Sequence, residues 1–201
     1  VPVKGSKYAP DPADVAGAVA LLLRAQNPLI YAGEGVIYAG ASAELKAFAE
    51  LVNAPVITTL KAKGAFPEDH PLFVGVRGGQ VNHYLDKCDL LFAVGASLSP
   101  GRFSHGIPNA VNKTIVHCTI DELHVNKTYP TAQAVIGDAK FALEALSAEV
   151  SIKTSGNGRP AGNVASEVKS ARDSAMDKYR KAMASTDKPI NPYKVYAGMM
   201  E

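Results

Sequence analysis

The chain has 201 residues, 47% of them apolar, and a formal net charge of +2. That length suits one medium domain with appendages, and that apolar content excludes general disorder. The near-neutral charge gives no electrostatic reason to expect nucleic acid or an anionic membrane as partner. No apolar run approaches the ~20 residues that span a bilayer.

Charge is unevenly spread. Residues 1–150 carry 12 basic and 14 acidic residues, whereas 151–201 carry 9 basic and 5 acidic ones. The shift predicts two parts in different surroundings. The sequence opens at Val1 rather than Met and shows no signal-peptide pattern, which reads as a piece excised from a cytoplasmic protein. Cys88 and Cys118 lie in the apolar runs "KCDLLFAVG" and "TIVHCTI". Without CxxC spacing or a Cys/His cluster, they read as buried reduced thiols rather than a disulfide or a zinc site.

Residues 1–10 read as an extended lead-in linker. Asp11-Pro12 then supplies an N-cap and a proline at the first helical position. Val15, Val19, Leu22 and Leu23 carry a helix to about Gln26, and Asn27-Pro28 stops it. "PLIYAG" is a short buried strand. Residues 41–52 are helical, with Leu45, Phe48, Ala49 and Val52 on one face. "APVITTL" is a strand, followed by the loop "KAKGAFPEDHP" and the strand "LFVGV". "QVNHYLDKC" is a short helix, and "DLLFAVGAS" is the strongest strand. "KTIVHCTI" and "AQAVIGD" are two more. Residues 138–149 form a helix with Phe141, Ala142, Ala145 and Leu146 inward.

Strands alternate with helices through residues 11–150, and the strand runs are continuously apolar. That pattern predicts a three-layer α/β/α Rossmann-like domain around a parallel sheet covered on both faces. Residues 151–163, with three glycines and a proline, read as a flexible linker. Val164, Val168, Ala171, Ala175 and Tyr179 then step at helical spacing along a charged helix. Residues 164–201 therefore read as a helical arm leading to a further domain.

Several segments have the composition of chemical sites. "YAGEGVIYAG" places Gly33 and Gly35 after a strand but misses the GxGxxG fingerprint, because position 38 is Tyr. These glycines serve either close approach of a ligand or tight strand-to-helix packing. In "TTLKAKGAFPEDHPL", Asp69 and His70 have the chemistry of a base and its orienter. Pro67 and Pro71 bracket them, which favours a rigid turn instead. Lys61 and Lys63 are either solvated or near a ligand phosphate. Arg77 and Arg102 offer guanidinium forks to phosphates in two glycine-rich connections. His83, His105, His117 and His124 have no ligand spacing, and no GxSxG occurs.

Four segments in order resemble a known family. They are residues 27–79, "CDLLFAVGAS", "IVHCTIDELHVNKTYPTAQAVIGDAK" and "INPYKVY". Together they resemble the central domain of thiamine-diphosphate (ThDP)-dependent enzymes, most closely the acetolactate synthase large subunit and its relatives. The resemblance implies about six parallel strands in this domain. It implies a parent with three α/β domains that acts on 2-oxo acids or related acyl substrates by C–C bond formation or cleavage. ThDP, with Mg²⁺, would be the electron sink. It also implies a homodimer or homotetramer and, in this domain, FAD or ADP.

The matching cofactor positions are Gly33, Gly35, Thr59, Leu60, Gly75, Arg77, Gly78, Gly95 and Ala96. Asp121 and Asp138, after the last two strands, complete the set. Neither the family's Gly-Asp-Gly nor its later Asn-Asn is present, so the chain holds no catalytic residue and no metal ligand of the parent and is expected to be inactive alone. "GASLSPGRFSHG" lacks the acidic pair of the family's "GARFDDR", and Thr119 stands where many relatives carry an acid that could accept from a ribose hydroxyl. Two other readings fit the residues: a nucleotide-binding or assembly module without ThDP chemistry, and an NAD- or FAD-using oxidoreductase domain.

Overall fold

In the computed structural model, which describes residues 7–101, 104–160 and 162–200, six strands form one sheet. They are β1 (Pro28–Ala32), β2 (Val56–Thr58), β3 (Phe73–Gly75), β4 (Leu90–Val94), β5 (Thr114–Thr119) and β6 (Gln133–Ile136). All pairings are parallel, in the order β3-β2-β1-β4-β5-β6. That is the strand order of a doubly wound sheet, with its topological switch between β1 and β4. The helices are α1 (Pro12–Arg24), α2 (Gly35–Ala39), α3 (Ser42–Leu51), α4 (Gly79–Lys87), α5 (Ala139–Lys153), α6 (Val164–Met183) and α7 (Pro192–Met199). The first six residues and Arg102 of the sequence reading lie outside the described residues.

Local chemistry explains the element ends. Asp11 Oδ1 accepts from the amide of Ala13 at 2.7 Å, and Pro12 needs no partner at the first helical position. α1 then buries Val15, Ala18, Val19 and Leu22, the spacing of one helical face. α3 buries Leu45, Phe48 and Ala49 against the same sheet face, where the Phe48 ring meets that of Phe92 at 5.3 Å.

The register sorts side chains into two faces. Val56, Ile30, Phe92 and Val116 align across neighbouring strands and pack under α1, α3 and α5. Ile57, Tyr31, Ala93 and His117 form the adjacent row on the opposite face, together with α4 and Val168 of α6. Both faces are dry, so each strand reads as a continuous apolar run.

Two elements, α2 and α5, differ from the sequence reading. "GVIYA", to which the sequence reading assigns no element, is the five-residue helix α2. α5 turns Ala142, Leu143, Leu146 and Val150 inward, while Phe141 is half exposed. The apolar residues leave two candidate phases, and the 3–4 spacing that continues to Val150 wins. α5 also runs to Lys153, three residues into the stretch read as linker.

Beyond α5 the chain turns back onto the domain. The Arg159 amide donates to Leu51 O at 3.0 Å, and Asn53 Nδ2 donates to Pro160 O at 3.2 Å. The predicted helical arm forms as α6 and α7. Val168 is fully buried, and the rings of Tyr179 and Tyr193 stack at 5.0 Å.

Candidate ligand crevice at the switch point

The chain leaves β1 toward α2 and leaves β4 toward β5, so the carboxyl ends of these two strands part around a crevice. Its volume is about 530 Å³. Gly33, Thr59, Leu60, Gly95 and Ala96, all expected from the sequence, line it. Glu34, Lys61, Gly101 and the serines at 97, 99 and 104 complete the described lining. Gly35, Gly75, Arg77, Gly78, Asp121 and Asp138 do not.

The glycines at the crevice floor pack backbone on backbone. A Cβ on Gly33 would stand 2.2 Å from Gly95 O and 2.4 Å from Ala96 Cα. Gly95 has φ +62°, and its Cβ would stand 2.7 Å from the Val36 amide nitrogen. The two turns are therefore pressed together, and they are stitched by hydrogen bonds. Gly33 N donates to Val94 O at 2.8 Å, Gly35 N to Gly95 O at 2.9 Å, and Thr59 N to Ala32 O at 2.9 Å. Of the two uses that the sequence left open for Gly33 and Gly35, tight packing accounts for both.

Two histidines, buried His117 and half-buried His105, hold the connection that forms the crevice's far wall. His117 Nε2–H donates to Ala96 O at 2.7 Å, which fixes its tautomer, and His117 Nδ1 has no partner among the described residues. At the other end, His105 Nδ1 lies 3.1 Å from the Tyr31 hydroxyl. Burial holds both imidazoles below their ordinary pKa and pushes the Tyr31 phenol up to about 12. Arg77 adds a smaller positive-charge effect on His105. Sequence reading missed both anchors because neither has ligand spacing. The only hint was a histidine inside the apolar run "TIVHCTI".

The remaining candidates have structural partners. Asp121 Oδ1 accepts from Leu123 N at 3.0 Å, capping the turn Glu122–His124. Buried Asp138 caps α5 through Lys140 N at 3.0 Å and faces Lys7 at 3.7 Å. Arg77 O accepts from Gln80 Nε2 at 3.1 Å, within the Gly75–Gly78 turn that starts α4. His70 does not pair with Asp69. Its Nδ1 accepts from Leu72 N at 3.2 Å and its Nε2 lies 3.0 Å from Glu50 Oε1. The turn is thus tied to α3. Lys63 pairs with Glu68 and Lys61 with Glu34. Both cysteines are free and buried, and burial pushes Cys88 up to about 11 and Cys118 up to about 12. They are inert thiols in this fold. No cluster of three or more His, Cys, Asp or Glu side chains suited to a metal occurs among the described residues.

A dinucleotide docks its diphosphate on free amides at the first glycine turn and the start of the following helix. Here Gly33, Gly35 and Val36 spend their amides on the protein itself, and Glu34 puts a carboxylate beside them. The residues present do not fit the diphosphate of FAD or ADP in that position.

Fold and crevice define a doubly wound α/β domain of the nucleotide-binding architecture without that diphosphate cradle. The family model for the central domain of thiamine pyrophosphate enzymes matches residues 15–146, and the chain belongs to this family. A protein of Methanocaldococcus jannaschii named "probable acetolactate synthase large subunit" is 39% identical over 142 residues, which are 67% of this chain and 24% of that one. The acetolactate synthase large subunit of Parasynechococcus marenigrum is 37% identical over 79% of this chain and 27% of its own length. The crystal structure of benzoylformate decarboxylase from Polynucleobacter necessarius shares the fold. It superposes with a TM-score of 0.63 at 23% identity, over 82% of this chain and 30% of that chain. The chain therefore spans about a quarter of the curated relatives' length, 24% and 27% for these two.

Proposed function

We propose that this chain is the central, non-catalytic domain of a ThDP-requiring enzyme that forms or cleaves a C–C bond beside the carbonyl of a 2-oxo acid or related acyl substrate. One observation carries the reading: residues 15–146 match the central domain of thiamine pyrophosphate enzymes, and the similar curated proteins are acetolactate synthase large subunits. ThDP supplies an electron sink when bound. Its site, and the Mg²⁺ that would accompany it, belong to parts of the whole protein outside this chain. The domain's own residues give it a scaffolding role. The sheet, the paired glycine turns and the histidine-pinned wall fix the positions of the segments on either side. Thr59, Leu60, Gly95 and Ala96 would touch a molecule that enters the crevice, a reading supported by their place in its lining.

The partners in this reading are the N- and C-terminal domains of the same chain, in a homodimer or homotetramer. The cytoplasm suits its two unpaired, buried thiols, and no helix among the described residues is long and apolar enough to cross a membrane. The oxidoreductase reading is set aside, because Tyr38 breaks the fingerprint and the amides of Gly33, Gly35 and Val36 bond within the protein. The test is turnover of the whole protein with pyruvate and other 2-oxo acids, with and without added ThDP. Turnover that is indifferent to ThDP overturns the proposal.

A further inference from the structure

We infer that Glu34 is a specificity-determining residue that denies the switch-point crevice to a nucleotide diphosphate. The inference rests on the crevice being this domain's ligand-facing site and is independent of whether the parent uses ThDP.

Three features converge on it. Three amides at the first turn are already used: Gly33 N by Val94 O, Gly35 N by Gly95 O, and Val36 N by Gly33 O at 3.1 Å. The helix that would lend its dipole, α2, has only five residues. The third feature is Glu34 itself, the residue before α2, on the lip of the crevice.

Two partners hold its carboxylate in place. Oε1 lies 3.3 Å from Lys61 Nζ, which reaches over from the turn after β2. Oε2 accepts from the Tyr38 hydroxyl at 3.4 Å, one helical turn further on. Tyr38 is the residue that breaks the glycine fingerprint, so the same position both removes a glycine and braces the acid. The Glu34 side chain is 38% exposed and so keeps contact with solvent.

The consequence is electrostatic. A diphosphate in the crevice would lie beside a fixed negative charge. Lys61, the one cationic side chain among the described lining residues, is already neutralised by that charge. Beyond that pair, the described lining side chains are uncharged: the hydroxyls of Thr59, Ser97, Ser99 and Ser104, and the exposed side chain of Leu60. That surface suits a neutral group and disfavours a dianion.

The experiment compares the 201-residue chain with its Glu34→Gln and Glu34→Ala variants, using FAD and ADP as probes at low ionic strength. FAD is followed by fluorescence anisotropy and ADP by calorimetry, with thermal melts to verify folding. The wild-type chain should show no saturable binding. Removing the charge should free Lys61 and tighten binding on the order of tenfold or more, about what one carboxylate near a dianion is worth in a partly solvated site. Flavin that stays on the wild-type chain through desalting overturns the inference. So does a failure of both variants to bind better than wild type. Neither result bears on the ThDP dependence of the parent.

Discussion

Arg159 should decide whether the chain beyond the sheet is a fixed strap or a loose tether. Its guanidinium donates from Nη1 to Val52 O at 3.1 Å and from Nη2 to Ala25 O at 2.9 Å. Those carbonyls belong to the C-cap residues of α3 and α1. One side chain thus satisfies orphan carbonyls at two helix ends and places a cation where both dipoles are negative. Burial lowers the guanidinium pKa, and the nearby Asp89 opposes that shift.

Arg159→Met keeps the aliphatic stem and removes both bonds. Two hydrogen bonds from a charged donor are worth roughly 1.5–3 kcal/mol each. Desolvating the cation and ordering a long side chain costs about 2 kcal/mol of that. The expected net loss is about 2 kcal/mol, which corresponds to about 30-fold in an opening equilibrium. The reporter is local. Gly158 N donates to Thr154 Oγ1 at 2.9 Å and Arg159 N to Leu51 O at 3.0 Å. Hydrogen exchange at positions 158 and 159 should speed by about 30-fold in the variant, while β1 and β4 stay protected. Arg159→Lys, a point charge without the fork, should fall between. Unchanged exchange at both amides would refute the strap.

Three further outcomes follow from the same geometry. Gly33→Ala sets a methyl against the backbone of Gly95 and Ala96, at 2.2 and 2.4 Å; because backbone cannot step aside cheaply, the variant should lose roughly 3 kcal/mol or more by urea denaturation. His70→Ala should cost only about 1 kcal/mol, the worth of its bonds to Leu72 N and Glu50, and should leave turnover of the whole protein intact; a loss above about 100-fold would restore the catalytic reading of that loop. Stability should also fall in mild acid. Burial holds His105 and His117 below the ordinary 6.5, so the unfolded chain takes their protons first as pH drops. Their contribution is complete above that value and declines below it, down to the depressed native pKa, by up to about 1.4 kcal/mol per pH unit per histidine. His117→Gln keeps a donor for Ala96 O without a titrating group, and should shrink the loss seen in urea midpoints between about pH 7 and pH 5.

Much of this fold is written locally. Asp11-Pro12 announces α1 because a capping acid and a proline at the first helical position act within three residues. The β4 run "LLFAV" announces a buried central strand because both of its faces are dry. What local pattern lacks is phase and partners. Phe141 and Leu143 are both apolar, and only packing against the sheet decides which of them turns in. Arg159 sits in a glycine-rich stretch that looks like a spacer. Its acceptors, Ala25 and Val52, are more than a hundred residues away in sequence, and no local signal brings them together.

The crevice shows the same limit more sharply, because glycine has two uses that look alike in sequence. The family resemblance leads to the expectation of a cofactor near Gly33, Gly35 and Gly95, yet each faces another stretch of this chain's own backbone. A free amide and a spent one are spelled with the same letter. The residue that carries information is the one between two of those glycines. Glu34 is the wrong charge for a phosphate turn, and Lys61, read alone as solvated or as a phosphate ligand, is its counterion. Read together, the two residues balance each other's charge on the lip of the crevice. That balance is the reason to test for a diphosphate only after the carboxylate has been removed.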